Sequence, residues 1–425
     1  MAKKNILIVT HVKPYPIDSG GSSGVFFMVE NLKEDYNFTI IYPVKENEYK
    51  NVEKLKKLWP RVNVQPYYQP DGKVKYIQKL KRTIKTKISI YKENTGNDPD
   101  FDIKRRSCIY QNNFAGLPEK LITHIKNVLS SQQFDMCQIE YFPYIKLVDI
   151  LPKNTVNMFV HHELRFVRAQ RELDLFENQT KNDTELYKNI YKQEIATLKK
   201  YDKIIALTNI DADFLAKHID KENIFISPST IKPIAKNKED AFQFKNKLVF
   251  MGGSGHFPNV DAIDWFLNNV WNKILQEKPE LTLNVTGKWE NRYLKKFSGF
   301  KNVTFVGYVD DLKTVIDGSI MIVPIRIGSG MRMKILDAVH WGIPFVTTTI
   351  GVEGLDFINE QDCFVSDSPE GFKNMVVNLI NNGKQQQLFV ANSHKKYLLK
   401  YDTNIAVRTR KEIYTKILQE KYLLT

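Results

Sequence analysis

PIRIGSGMRMKILDAVHWGIPFVTTTIGVEGL, residues 324–355, decides the fold of this chain. The run Ser319 to Val323 ahead of it is short and apolar, as a buried strand would be, and Gly328, Ser329 and Gly330 lead from it into apolar residues at helical spacing, read as a helix from about Met331. Gly342 and Pro344 stop that helix, and Phe345 to Thr348 begin another β-rich run. The order is strand, glycine turn, helix, strand. Glycine lets a backbone come close to a ligand, and the first amides of a helix have no acceptor inside it. Arg326, Arg332 and Lys334 add positive charge to the turn, which suits an anion at a helix start. Taken alone, the same residues also describe an ordinary loop with a solvated basic face.

The head of the chain repeats the pattern. Asn5 to Thr10 reads as a strand, HVKPYPIDSGGSSG as a glycine-rich loop, Val25 to Lys33 as an amphipathic helix and Phe38 to Pro43 as the next strand. Gly20, Gly21 and Gly24 do not form GxGxxG, and Pro43, Val44 and Lys45 stand where an acidic ribose ligand would be, so a nicotinamide cofactor is disfavoured. No GxxxxGK[ST] occurs, which disfavours a P-loop.

Phe134 to Glu140, Thr155 to Val160 and Lys203 to Leu207 continue the series. His161, His162 and Glu163 follow the second of these, at the end of a parallel strand where side chains reach a ligand. Consecutive residues of a strand point to opposite faces, so one of the two histidines is expected there. Asp211 and Asp213 fall at a helix start and read as caps rather than metal ligands. Between Ile231 and Lys247 the chain turns polar and aperiodic, which reads as a linker. Leu248 to Met251, Leu281 to Thr286, Val303 to Val306, Ser319 to Val323, Phe345 to Thr348 and Phe364 to Val365 then supply a second set of strands, with a helix Val260 to Trp271 after the first. The fold class is α/β, two tandem Rossmann-like doubly wound domains with a ligand cleft between the carboxyl ends of their sheets. The expected divisions are 1–231, 232–405 and a C-terminal helix, 406–425, packing back on the first domain.

With 425 residues the chain exceeds one ordinary core, and 42% apolar with 26% charged residues is globular composition. A net charge of +14 favours anionic partners. Cys108, Cys137 and Cys363 are odd in number and without ligand spacing, and read as reduced, buried thiols of a cytoplasmic protein. The apolar run near Lys3 and Lys4 is too short for a signal peptide, and no run approaches the length of a membrane-spanning helix. The segment Lys73 to Lys92 carries eight Lys or Arg and no acid, with Ile77, Leu80, Ile84, Ile88 and Tyr91 on one helical stripe. It reads as a surface helix packed on the core or as an interfacial helix on an anionic membrane, which would make the protein peripheral on the inner membrane face. Nucleic acid is disfavoured, since no nucleic-acid-binding motif is present. Asp98, Asp100 and Asp102 lack the glycine and closing glutamate of a calcium loop and read as a solvated turn.

FMGGSGHFPNVDAIDWF from Phe250, VTFVGYVDDL from Val303 and the stretch from Val323 resemble the GT-B, glycosyltransferase family 4 type of sugar transferase (glycosyl transferases group 1). The resemblance covers most of the second half, and the first half follows it more loosely. It implies a retaining, hexosyltransferase-type enzyme of polysaccharide assembly that needs no bound metal. The C-terminal domain would bind a nucleotide sugar and the N-terminal domain a glycan or lipid-linked acceptor. By resemblance the leaving diphosphate falls to the Gly330 and Met331 amides with Arg332 and Lys334, helped by Lys288 and Arg326. Gly20, Gly21, Gly253 and Gly328 approach the donor, and His161 or His162 contacts the sugar or acceptor. Many relatives carry two glutamates where this chain has Ser329 and Asp337. Asp337 can still accept from ribose hydroxyls, whereas Ser329 cannot supply the first carboxylate. The Arg and Lys that many relatives place after the first strand of this domain are replaced by GGSGHFPN, where His256 and Asn259 are candidates for shaping the loop. The Ser329 departure keeps a second reading open, a catalytically silent nucleotide-sugar or glycan-binding protein of the same fold.

Overall fold

The computed structural model describes residues 3–69, 100–111, 113–231, 242–309 and 311–423. The basic stretch 73–92 and most of the expected linker, residues 232–241, lie outside them. The chain divides into two compact units, Met1–Lys232 with Ala406–Thr425, and Pro233–Ile405.

The first unit holds seven parallel strands, β1 (Asn5–Thr10), β2 (Asn37–Lys45), β3 (Asn63–Gln69), β4 (Met136–Glu140), β5 (Val156–His161), β6 (Lys203–Ala206) and β7 (Ile224–Ile226), in the order β3-β2-β1-β4-β5-β6-β7. The second holds β8 (Lys247–Met251), β9 (Thr282–Thr286), β10 (Val303–Gly307), β11 (Ser319–Val323), β12 (Phe345–Thr347) and β13 (Phe364–Val365), in the order β10-β9-β8-β11-β12-β13. Both are Rossmann-like sheets. Helices cover both faces of such a sheet, so its inner strands are largely apolar. Ile6, Leu7, Ile8 and Val9 of β1 are at most 1% exposed. Each such side chain stabilises the sheet by about 1.5–3 kcal/mol.

Strand order reverses between β1 and β4 and again between β8 and β11. Doubly wound sheets take ligands beside the carboxyl ends of strands at such a reversal. Register brings Thr10, Glu140 and Val160 level across β1, β4 and β5, so the residues just after them gather at one rim. All three cysteines are free and buried.

Several local expectations need correcting. The first helix runs Gly20–Leu32 rather than from Val25, because Ser19 caps it by accepting from the Ser22 amide, with Ser22 returning the bond. Gly20 and Gly21 are therefore its first turn. β3 and β7 were not expected from the sequence. Asp100 is no solvated turn residue: it is 1% exposed and accepts the amides of Glu177 (2.9 Å) and Asn178 (2.8 Å). The helix Asn209–Leu215 is capped by Thr208 rather than by an aspartate: Thr208 Oγ1 accepts from the Asp211 amide at 3.1 Å and donates to Asp211 Oδ2 at 2.6 Å, and Asp213 lies beyond the first turn.

Candidate functional site

In the second unit the loop after β11 is buried along nearly its whole length. Gly328 and Gly330 take φ of 118° and 77°, conformations that a side chain would resist. The helix begins at Met333, not Met331, with Arg332 as its flanking residue. The cause is Arg332 itself. Its Nη1 donates to the Ser329 carbonyl and, at 2.9 Å, to that of Gly330, closing these residues into a turn ahead of the helix. Arg332 thus braces the loop from inside, only 9% exposed.

Lys334 is the second residue of that helix. Its Nζ donates to Asn259 Oδ1 at 2.6 Å and lies 4.4 Å from the centre of the Phe250 ring. Burial pushes the ammonium down to about 7, the Arg332 charge adds to this, and Asp337 opposes it. Burial likewise pushes the Asp337 carboxyl up to about 7 against the pull of Lys334. Among the described residues Lys334 has no carboxylate within ion-pair distance. A desolvated cation without a counter-charge, set at a helix start, is a place for an anion.

Asn259 holds this corner together. It lies in the first turn of the helix Phe257–Phe266 and does not cap a helix at Val260: its Nδ2 donates to the Gly253 carbonyl at 2.9 Å while its Oδ1 takes the lysine. His256 is the flanking residue and makes no side-chain cap. A side chain at Gly253 would come within 2.6 Å of the Lys288 carbonyl, so this glycine serves the contact between two loops. The Lys288 side chain is exposed, while its carbonyl accepts from the Ser254 amide at 3.0 Å. Arg326 is committed elsewhere. Its Nη2 and Nε donate to the two oxygens of Asp261 at 2.6 and 3.1 Å, and its guanidinium lies 5.8 Å from the Trp265 ring centre.

In the first unit the two histidines part as strand alternation requires. His161 turns into the core, 1% exposed, with Nε2 2.8 Å from Glu194 Oε1. Glu194 also accepts the amides of Arg165 (2.9 Å) and Phe166 (2.7 Å), so the pair fastens the start of the helix Arg165–Leu173. His162 goes to the rim. Its Nε2 lies 3.2 Å from Glu140 Oε2 and its ring stacks on Tyr141 at 3.7 Å and 6°. Among the described residues nothing bonds its Nδ1. Tyr141 has φ of 69°, a strained value for a residue with a side chain, of the kind that clusters at functional sites. Its buried hydroxyl has no hydrogen-bond partner and lies 2.8 Å from where a side chain at Gly21 would begin. Gly21 is thus required for the loop to pass Tyr141.

The sequence reading missed Gln138, Glu140 and Tyr141 as site residues. A signal was present: β4 reads MCQIE, with polar residues at alternate places in a strand at the centre of its sheet. Among the described residues no group of three or more His, Cys, Asp or Glu is placed to hold a metal ion, and no helix is long and apolar enough to cross a membrane.

Residues 245–382 match the family Glycosyl transferases group 1. An uncharacterised 44.6 kDa protein in the cps region of Klebsiella pneumoniae is 25% identical over 285 residues, 63% of this chain and 71% of that protein. Among solved structures, a variant of S. aureus TarM in complex with fondaparinux, α-GlcNAc-glycerol and UDP superposes with a TM-score of 0.65 at 12% identity, over 97% of this chain and 99% of that one. HepE of Anabaena, in complex with UDP and glucose, gives 0.60 at 9% identity, over 97% and 100%. The fold is GT-B. The match to the group 1 glycosyl transferases lies within the second unit.

Proposed function

We propose that the chain is a retaining glycosyltransferase moving a sugar from a nucleotide diphosphate donor to a glycan or lipid-linked acceptor without a bound metal ion. Lys334 carries this reading. It is a half-buried cation with no carboxylate within ion-pair distance among the described residues, at a helix start, with its ammonium depressed to about 7. An anion in that place restores the charge that burial disfavours. In the reaction the bond from the anomeric carbon to the donor phosphate oxygen breaks and its electron pair goes to the phosphate. Lys334 and Arg332 stabilise that growing charge, with Lys288 as a further cation. The acceptor hydroxyl attacks from the same face, its proton passing to the departing phosphate oxygen, so configuration is retained and no protein base is needed. Asp337 takes the ribose hydroxyls. In the first unit His162 Nδ1 meets a hydroxyl of the sugar or acceptor.

UDP is the first nucleotide to try, because UDP occupies the TarM and HepE structures. A surface polysaccharide is the favoured product class, given the cps-region relative. The test is titration with a panel of UDP- and GDP-sugars, then transfer to oligosaccharide and lipid-linked acceptors with the product anomer read by NMR, with and without EDTA. Transfer with the donor's anomeric configuration, unaffected by EDTA, supports the proposal. Ser329 favours the alternative of a silent binding protein, which predicts tight donor binding with no transfer or hydrolysis. An inverted product or loss of activity in EDTA would overturn the mechanism.

A further inference from the structure

Gln138 and Glu140 are 0% and 4% exposed on the central strand β4. Buried polar groups there need partners, and theirs form a line. Tyr414 of the C-terminal helix Thr403–Leu423 donates its hydroxyl to Gln138 Oε1 at 2.5 Å. Gln138 Nε2 donates to Glu140 Oε1 at 2.5 Å, and Glu140 Oε2 meets His162 Nε2 at 3.2 Å. Chemistry fixes the direction of this line. A carboxylate only accepts, so Gln138 turns its NH2 to Glu140 and its carbonyl oxygen to Tyr414, whose hydroxyl must donate. Glu140 accepts again at its other oxygen, so a neutral His162 carries its proton on Nε2 and keeps the lone pair on Nδ1.

We propose that Tyr414 is a positioning residue for sugar transfer: through Gln138 it holds the Glu140 carboxylate where it accepts from His162 Nε2–H, which leaves Nδ1 as the acceptor for a substrate hydroxyl. The proposal rests on the reading of His162 as a residue that touches the sugar or acceptor. The division of labour with Tyr141 is plain: stacking fixes the plane of the ring, and the line fixes which nitrogen holds the proton. Tyr414 is itself firmly held, 0% exposed, edge-on to Tyr36 at 5.4 Å and 6.0 Å from the Arg410 guanidinium. Arg410 donates to Ser227 Oγ at 3.0 Å. Burial would raise the Glu140 carboxyl, but His162, Arg410 and Gln138 hold it below its usual range, so it stays an acceptor.

The test is 15N NMR of the histidine side chains in the full chain, with His162 assigned by comparison with His162→Gln. The wild type is expected to show neutral His162 as the Nε2–H tautomer. Tyr414→Phe loses one oxygen and keeps the ring packing, and is expected to show a mixture with Nδ1–H. Transfer kcat then falls threefold to tenfold with donor KM unchanged. Gln138→Met cuts the line at its second link and gives the same spectral change, and it decides the matter if Tyr414→Phe does not fold. An unchanged His162 spectrum in the folded variant overturns the proposal whatever the activity does. A changed spectrum in a protein that transfers no sugar upholds the control of the tautomer and sinks the catalytic reading beneath it.

Discussion

At the rim of the first sheet, His162 faces the carboxylate of Glu140. At the rim of the second, Lys334 faces a neutral amide, and the one carboxyl on its own helix that influences it, Asp337, is itself pushed up to about 7 by burial. The two sheets share a strand order, yet their strand ends carry opposite electrostatic logic. At the first rim the carboxylate already has its hydrogen-bond partner, and the rim suits uncharged hydroxyls rather than a diphosphate. The second keeps a positive charge without its counter-charge, and suits a diphosphate. A doubly wound unit supplies the place, and its side chains decide the ligand.

The largest effect is expected from removing the unmatched charge. Lys334→Met should weaken UDP-sugar binding at least 100-fold, a loss of about 3 kcal/mol, measured by titration calorimetry. Stability should move the other way, rising by about 1–2 kcal/mol at pH 7, because a half-buried cation that makes no ion pair is gone. The sign with pH comes from linkage. The folded lysine titrates near 7 and the unfolded one at its ordinary 10.5, so between these values the unfolded chain binds more protons and the wild type gains stability as pH rises. Thermal melts of Lys334→Met should lack that gain. A variant that still binds donor with wild-type affinity would end the assignment of the diphosphate to this corner.

Next in size is the pH profile of donor affinity, taken with UDP-glucose, whose diphosphate diester does not titrate in this range. Lys334 must be charged to hold a diphosphate, so affinity falls as pH rises through about 7, by up to tenfold per unit. Asp337 must be charged to accept from ribose, so affinity also falls as pH drops below about 7. The two limbs belong to the coupled pair. Asp337→Asn should flatten the acid limb alone, and Lys334→Arg the alkaline one. A flat profile in the wild type from pH 6 to 9 would refute the pairing.

At the first rim the expected losses are smaller and fall on kcat. Glu140→Gln removes the charge that orients His162 and should lower kcat about tenfold, near 1.4 kcal/mol, with donor affinity intact. Gly21→Ala brings a methyl within 2.8 Å of the Tyr141 hydroxyl and 3.3 Å of Val12, and should cost a similar factor by moving Tyr141 off the imidazole. If instead either change abolished donor binding, the two rims would not divide the substrates as proposed.

Legibility in the sequence tracked the range of the interactions. β1, β11 and β13 were readable to the residue, because unbroken apolar runs between glycine or polar breaks leave no other assignment. β3 was not, since NVQPYYQ is an edge strand with polar residues and a proline, and β7 is only three residues long. The glycine loop and Lys334 were visible as neighbouring letters. The helix start was misplaced by two residues because Arg332 bends back onto carbonyls, which spacing cannot show. The Asn259 bridge spans 75 residues and the Tyr414 bond 276, so no local pattern could announce either.

Arg326 offers the smallest effect and the sharpest check on which cations count. If arginine charge alone recruited the donor, this residue should matter as much as Lys334. Both of its bonding nitrogens are already given to Asp261, which is 5% exposed, so the pair is neutral before any ligand arrives. Truncating Arg326 alone would confuse the answer, since stranding a buried carboxylate costs about 3–5 kcal/mol. The double change Arg326→Gln with Asp261→Asn removes both charges and keeps a hydrogen bond between the side chains. It should shift donor affinity less than threefold and stability by no more than about 1 kcal/mol. A loss beyond tenfold would mean that the guanidinium leaves Asp261 for the diphosphate on binding, and that the positive charge of the second rim is recruited by the donor rather than held ready for it.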